Sequence, residues 1–390
     1  VVYTPLPVSS APAYTPVPVS SAPAYTPVPV ASSSKEAQPS IQDYVPAPVS
    51  SAPASSKEAQ PSKQDYVPVP VSFAPAYSAP AYTPSPAASS KAVPKPKPSK
   101  APQTSYSNGG RIVTNGNKWA ITYTPYASNG DCKSYEEVKH DISKIAAMGF
   151  TTIRSYSTDC GVFEHVVPEC QKHGLKVIYG IFLEAGGKGG KGPFSDYANN
   201  QLQEIIENAP KDSVAMVIVG NEALFNNYCT PEELGSYIDY VREQLRAADF
   251  PSDIAVTTTE TVDVWEQKGA ALCAHIDVFA VQVHPFFTSK VSASEAGDFV
   301  KEQLEQAAKV CPEVAAKGKY VSETGWPKEG QSNGNAHPGA REQKEAIRSI
   351  MEKVGSEACI FSYQDDMWKA PGALGVEQSF GCSEAIEAAA

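Results

Sequence analysis

From Trp119 onward the apolar residues fall into two alternating rhythms. Short runs rich in β-branched and aromatic residues read as strands, and segments with apolar positions three and four apart read as helices. Trp119–Pro125 predicts a first strand. Ser134 and Glu137 then form a capping-box signature, and Val138, Ile142 and Ile145 continue at helical spacing. Thr151–Tyr156 and Leu175–Leu183 predict strands two and three, and Val214–Val219 is a continuous apolar run that stops abruptly at Gly220-Asn221-Glu222. Such a run suits a strand buried on both faces. Thr230, Pro231 and Glu233 mark a helix start, and Leu234, Ile238, Val241 and Leu245 are its apolar stripe. Further strands are expected at Ile254–Glu260, Ile276–His284, Tyr320–Gly325 and Ala358–Asp366.

Eight strands separated by helical patterns over about 280 residues match the size and order of a (β/α)8 TIM barrel. A doubly wound open sheet is the alternative, but no GxGxxG follows the first strand. The barrel domain is placed at residues 108–390.

Residues 1–107 follow neither rhythm. They hold 23 of the 34 prolines and no Gly, Cys, His or Trp. Tyr-Thr-Pro recurs at Tyr3, Tyr14 and Tyr25, and Ser-Ser-Lys-Glu-Ala-Gln-Pro-Ser begins at Ser33 and again at Ser55. Dense proline removes ladder donors and favours polyproline II, so a disordered, O-glycosylated Pro/Ser-rich stalk is expected rather than a solenoid. Lys91–Lys100 reads as a basic spacer. The chain begins at Val1 without an apolar leader and ends without an anchor-type run, which suggests a processed or partial chain.

A formal charge of −11 argues against nucleic acid and anionic membranes as partners. No apolar run reaches the roughly 18 residues of a membrane span. The eight cysteines lie between Cys132 and Cys382, with no CxxC pair or metal-ligand spacing, so disulfides are expected and no metal or other cofactor. Cys132 with Cys160 is the one pairing the strand order suggests. Gly186–Gly192 lacks the GK[ST] ending of a phosphate loop and reads as a rim loop.

In such a barrel the strands' C-terminal ends carry the site. That rule collects Tyr123, Tyr126, Arg154, Asn221, Glu222, Glu260, His284, Glu323, Trp326, Asp365, Asp366 and Trp368. Carboxylates beside aromatics suit sugars, whose C–H faces stack on rings and whose acetals need two carboxyls for cleavage. Glu260 is either a site residue or a partner for Arg154; His284 is a wall residue rather than a metal ligand; Trp326 and Trp368 are sugar platforms or barrel plugs.

Gly220-Asn221-Glu222, Ser322-Glu323-Thr324-Gly325-Trp326-Pro327 and Phe361–Lys369 together resemble glycoside hydrolase family 17, in particular fungal cell-wall β-1,3-glucanases and glucanosyltransferases. The resemblance spans about residues 110–383. It implies a retaining hydrolase or transferase acting on β-glucan polysaccharide or oligosaccharide, with Glu222 as general acid/base and Glu323 as nucleophile. It further implies that Asn221 steadies the sugar 2-hydroxyl and that Arg154 and Tyr123 order the floor. Ser362 stands where relatives commonly carry an acidic residue. A secreted, wall-associated monomer is expected. The rivals are a non-catalytic glucan-binding mannoprotein and a metal-dependent barrel enzyme using His284.

Overall fold

The structure is a computed structural model that describes residues 111–387; the Pro/Ser-rich repeats and the basic spacer lie outside the described residues. Eight strands form one closed, all-parallel barrel in sequence order. They are β1 (Ala120–Thr122), β2 (Thr152–Arg154), β3 (Lys176–Ile181), β4 (Val214–Asn221), β5 (Ala255–Thr261), β6 (Phe279–Gln282), β7 (Lys319–Thr324) and β8 (Ala358–Ile360). The expected (β/α)8 architecture is therefore present, and β1, β6 and β8 are shorter than the apolar runs suggest. In those runs the apolar residues just beyond the assigned strands, such as Val283 and Phe361, are still buried, and their N–H groups bond to the Glu323 and Thr324 carbonyls of β7.

The main helices on the outside are α1 (Tyr135–Ala147), α2 (Val167–Lys172), α3 (Asp196–Asn208), α4 (Pro231–Ala247), α5 (Val262–Lys268), α6 (Ala296–Ala308), α7 (Pro312–Ala315) and α8 (Ala340–Val354). Their starts are chemically specified. Ser134 and Glu137 make both halves of a capping box on α1, and Thr230 and Glu233 do so on α4. Each such cap contributes about 1 kcal/mol. Val138, Ile142 and Ile145 on α1, and Leu234, Ile238, Val241 and Leu245 on α4, are fully buried or nearly so.

Strand alternation divides the core in two. Outward residues such as Ile121, Ile153, Val177 and Val217 pack beneath the helices. A separate cluster of Trp119, Ile178, Met216, Ile218, Val278, Tyr320 and Cys359 fills the barrel, with the Trp119 and Tyr320 rings 5.0 Å apart. Toward the strands' C-terminal ends this filling turns polar: Thr259, Ser322, Gln282 and Arg154 are all buried there. Such polar groups require mutual hydrogen bonds, and they carry the site.

The cysteines divide evenly. Cys132 bonds Cys160, as expected, and Cys273 bonds Cys311. Cys170, Cys229, Cys359 and Cys382 are free thiols, which corrects the reading of all eight as disulfides. Cys359 belongs to the barrel filling and Cys170 to the buried face of α2, where an apolar thiol packs as a small hydrophobe. The glycine loop after β3 is a rim loop closed by an ion pair between Lys191 and Glu184 at 2.9 Å.

Candidate active site at the barrel mouth

Two irregularities aim the central carboxyls. On β4 the pairing with β5 shifts register between Ile218 and Asn221. Gly220 has φ +78°, and an added Cβ would stand 3.1 Å from the Ala223 Cβ and 3.3 Å from Leu183. Glu222 follows with φ +51°, a left-handed conformation unusual for a residue with a side chain. Its N–H is held by the Thr259 carbonyl at 3.0 Å, and its own carbonyl accepts from Asn226 N at 3.0 Å. On β7 the register shifts against both neighbours, between Val321 and Thr324 and opposite Gln282. Strict alternation puts Tyr320 and Ser322 inward and Glu323 outward; the bulge lets Glu323 turn inward as well. Gly325 then passes so close to β8 that a Cβ would lie 2.0 Å from the Phe361 carbonyl.

Arg154, rising from β2, ties these ends together. Its Nη1 donates to Glu323 Oε1 at 3.0 Å and to the Ser322 carbonyl at 2.8 Å, while Nη2 donates to Asn221 Oδ1 at 2.7 Å. Gln282 Nε2 donates to the same Asn221 oxygen at 2.5 Å and to Glu323 Oε1 at 3.2 Å. The Asn221 carbonyl oxygen is thereby doubly engaged, which fixes the orientation of its amide. His284 Nε2 lies 3.2 Å from Glu323 Oε2, and the Tyr156 hydroxyl faces Glu323 as well. The guanidinium of Arg154 sits 4.6 Å from the centre of the Tyr156 ring.

The two carboxyls are thereby pushed in opposite directions. Burial acts to raise the Glu323 pKa, but the His284 hydrogen bond, the Arg154 charge and the Tyr156 hydroxyl outweigh it and hold the group below the usual carboxylate range. Glu222 is raised well above that range, first by burial and then by the charges of Glu323, Glu260 and Glu377, against the weaker pull of Arg154. Glu222 Oε2 has no hydrogen-bond partner among the described residues. One ionised and one protonated carboxyl in a shared mouth is the division that acetal cleavage requires.

Other anticipated residues take different places. Glu260 does not pair with Arg154: its Oε1 accepts from Leu224 N at 2.8 Å and Oε2 from Phe225 N at 3.1 Å. It thus holds the turn that begins at Glu222. Burial lifts its pKa to about 8, opposed by those two N–H groups. Tyr123 points away from the floor, donating to Asp141 on α1 at 3.0 Å, because β1 alternation places it on the helix side. Trp326 is 0% exposed, with Nε1 donating to the His337 carbonyl at 2.9 Å and its ring edge-on to Phe286; it is a plug rather than a platform. Asp365 is engaged by Lys328 at 2.8 Å and by the Gly381 N–H at 2.8 Å, so it fastens loops together. Asp366 accepts from Thr124 and Trp368 and pairs with Lys369 at 2.7 Å. Trp368 is half-buried at the rim, edge-on to Tyr126 with ring centres 5.1 Å apart.

Three residues at the site escaped the sequence reading: Tyr156, Gln282 and Glu377. Gln282 had a usable signal, since it precedes His284 by two and so shares its strand face. Glu377 had none, for it sits in a loop far beyond β8. Among the described residues no cluster of His, Cys, Asp or Glu is arranged to hold a metal, and no helix is long and apolar enough to cross a membrane.

Residues 120–381 match the family model for the BtgE/BtgC glycoside hydrolase domain. A protein of Aspergillus terreus named "Probable beta-glucosidase btgE" is 41% identical over 283 residues, 72% of this chain and 49% of its own length. The chain spans about half the length of the curated relatives it matches. Among solved structures, a family 17 β-1,3-glucanosyltransferase of Rhizomucor miehei superposes with a TM-score of 0.57 at 20% identity, covering 69% of this chain and 94% of that one. An endo-laminarinase of Formosa superposes at 0.58 with 17% identity, covering 70% and 85%. At these identities the superpositions show a common fold.

Proposed function

The chain belongs to the BtgE/BtgC glycoside hydrolase family, and from that premise we propose that it is a retaining β-glucan hydrolase or glucanosyltransferase acting on β-1,3-linked glucan of the fungal wall. The observation that carries this reading is the opposed bias on Glu323 and Glu222 at one barrel mouth. Ionised Glu323 attacks the anomeric carbon while protonated Glu222 gives its proton to the departing glycosidic oxygen. The C–O bond breaks, the shortened glucan leaves as an alcohol, and a glycosyl ester on Glu323 remains. Glu222, now a carboxylate, takes a proton from water or from a sugar hydroxyl. That oxygen attacks the anomeric carbon, and Glu323 leaves as a carboxylate.

Arg154 and Gln282 serve both partners. They keep Glu323 charged and oriented, and they turn Asn221 so that its N–H groups meet the hydroxyl next to the anomeric carbon. His284 braces the second Glu323 oxygen, and Trp368 offers a ring at the rim for a neighbouring sugar. Secretion to the wall agrees with the two disulfides, which persist in oxidising compartments.

Incubation with laminari-oligosaccharides and analysis of product lengths tests the proposal. Shorter products mark hydrolysis, and products longer than the donor mark transfer. Glu222→Gln is expected to lower turnover by about 10²–10⁴ while still binding the oligosaccharide. A folded wild-type chain that binds but never cleaves or transfers identifies a glucan-binding wall protein instead.

A further inference from the structure

Inside the barrel, beneath the two central carboxyls, a pair of hydroxyls takes no part in proton or glycosyl transfer. Thr259 Oγ1 on β5 and Ser322 Oγ on β7 lie 2.5 Å apart. Their strands are not neighbours, because β6 stands between them. Alternation from Ala255 and Tyr320 points both side chains into the barrel, so the contact crosses the inner face of β6. Thr259 is 0% exposed and Ser322 3%. The protons have one consistent order. Ser322 Oγ lies 3.2 Å from the Val281 carbonyl, which can only accept, so the single hydrogen of Ser322 is committed there. Thr259 is therefore the donor to Ser322. The chain Thr259 O–H, Ser322 O–H, Val281 C=O joins three adjacent strands.

Ser322 occupies a special place on β7. Against β6, Val321 pairs with Val281 and Glu323 with Gln282, which leaves Ser322 as the extra residue of the bulge. Such a residue has no opposite number in the ladder, and other groups must hold it. The Ser322 carbonyl accepts from Arg154 Nη1 at 2.8 Å, and its hydroxyl is held by Thr259. This bulge is the feature that turns Glu323 into the mouth. Thr259 in turn reaches the other carboxyl, since its carbonyl accepts from Glu222 N at 3.0 Å at the left-handed turn. A short path thus runs from the backbone of Glu323 through two hydroxyl-bearing residues to the backbone of Glu222.

Stability alone does not account for the pair. The filling directly below is apolar, with Ile218, Met216 and Tyr320. Replacing both partners of a buried hydrogen bond by apolar groups of the same shape is close to neutral. The reaction is less tolerant. Double displacement by two carboxyls works at a separation of about 5–5.5 Å, and a misplacement of about 1 Å costs about a hundredfold in rate.

We propose that Thr259 and Ser322 are positioning residues for the reaction: their hydroxyl contact locks the β7 bulge in register and so fixes where Glu323 stands relative to Glu222. Neither side chain touches the sugar. This rests on the functional reading above.

Thr259→Val removes the cross-strand donor, keeps the β-branched shape and leaves the Ser322 bond to Val281 in place. Ser322→Ala removes the acceptor, and serves alone if the valine variant does not fold. Both are assayed on laminari-oligosaccharides well below their melting temperatures. Turnover is expected to fall about ten- to a hundredfold while KM stays within about twofold of the wild type, the mark of a loss felt in the transition state. Thr259→Ser retains the hydroxyl and should recover most of the rate. The double variant should be no slower than the slower single one, because the two residues act as a unit. A merely structural role would lower the melting temperature and leave kcat of the folded enzyme alone. That outcome, a KM that rises in step with the loss of kcat, or losses that multiply in the double variant overturns the proposal and leaves the functional reading standing. A wild type that neither cleaves nor transfers overturns both.

Discussion

Replacing Arg154 by Met removes the guanidinium that joins the ends of β4 and β7. Both partners of its ion pair with Glu323 are 2% exposed, at 3.0 Å. For charges about 4 Å apart the attraction is about 4 kcal/mol at an effective dielectric of 20, and loss of one partner of a buried pair costs about 3–5 kcal/mol of stability. Three hydrogen bonds disappear with it, to Glu323, Ser322 and Asn221. Without the positive charge, burial governs Glu323, and its carboxyl is expected to hold its proton to a higher pH. Since only the ionised form attacks, the acid limb of the kcat/KM profile should move upward. On that limb the rate should fall at least about tenfold, the minimum for loss of a charge-assisted hydrogen bond. Arg154→Lys keeps the charge but not the fork, so the limb should largely return while kcat stays depressed, because Asn221 is left with Gln282 alone. The assay is release of glucose equivalents from laminari-oligosaccharides across pH 3–9, at a temperature where circular dichroism shows both variants folded. A folded Arg154→Met protein whose acid limb coincides with that of the wild type refutes the argument that Arg154 sets the charge on Glu323.

In the proposed mechanism the alkaline limb is set by Glu222: its raised pKa means that activity should decline as pH climbs through that value, and Glu222→Gln should remove the limb along with about 10²–10⁴ of the rate. Glu260 has a raised folded pKa, so its contribution to stability is complete below the ordinary carboxylate range and fades as pH rises to about 8. Glu260→Gln should flatten the melting temperature over that window, and should lower kcat because an amide N–H now confronts Leu224 N or Phe225 N. Cys273→Ser with Cys311→Ser opens a loop with a sequence separation of 38 between α5 and α7. Denaturant unfolding should show a loss of about 2–4 kcal/mol, with kcat unchanged, as both residues lie far from the strand ends that carry the site. Dialysis against a chelator is expected to leave turnover intact, and a loss restored by a divalent metal would reinstate the metal-dependent rival.

Much of this protein is legible in its one-dimensional pattern, because the forces responsible act over a few residues. The apolar run Val214–Val219 and the capping residues Ser134 and Thr230 specify strands and helix starts locally, and the repeated alternation calls for a parallel sheet covered on both faces, which a barrel and a doubly wound sheet both provide. The barrel rule then places Glu222, Glu323 and Arg154 at one end, and the structure brings them together there. What the tertiary structure alone decided is where side chains point once strands meet. Strand alternation read from Tyr320 turns Glu323 outward, and only its register shift against β6 and β8 brings it into the mouth. Trp326 resembles a platform by position, yet packing against Phe286 and the His337 carbonyl seals it into the core. Glu260 resembles a sugar contact until the turn after Glu222 claims both of its oxygens. These outcomes depend on partners that chain closure brings together from separate elements, and local propensity carries no information about such pairs.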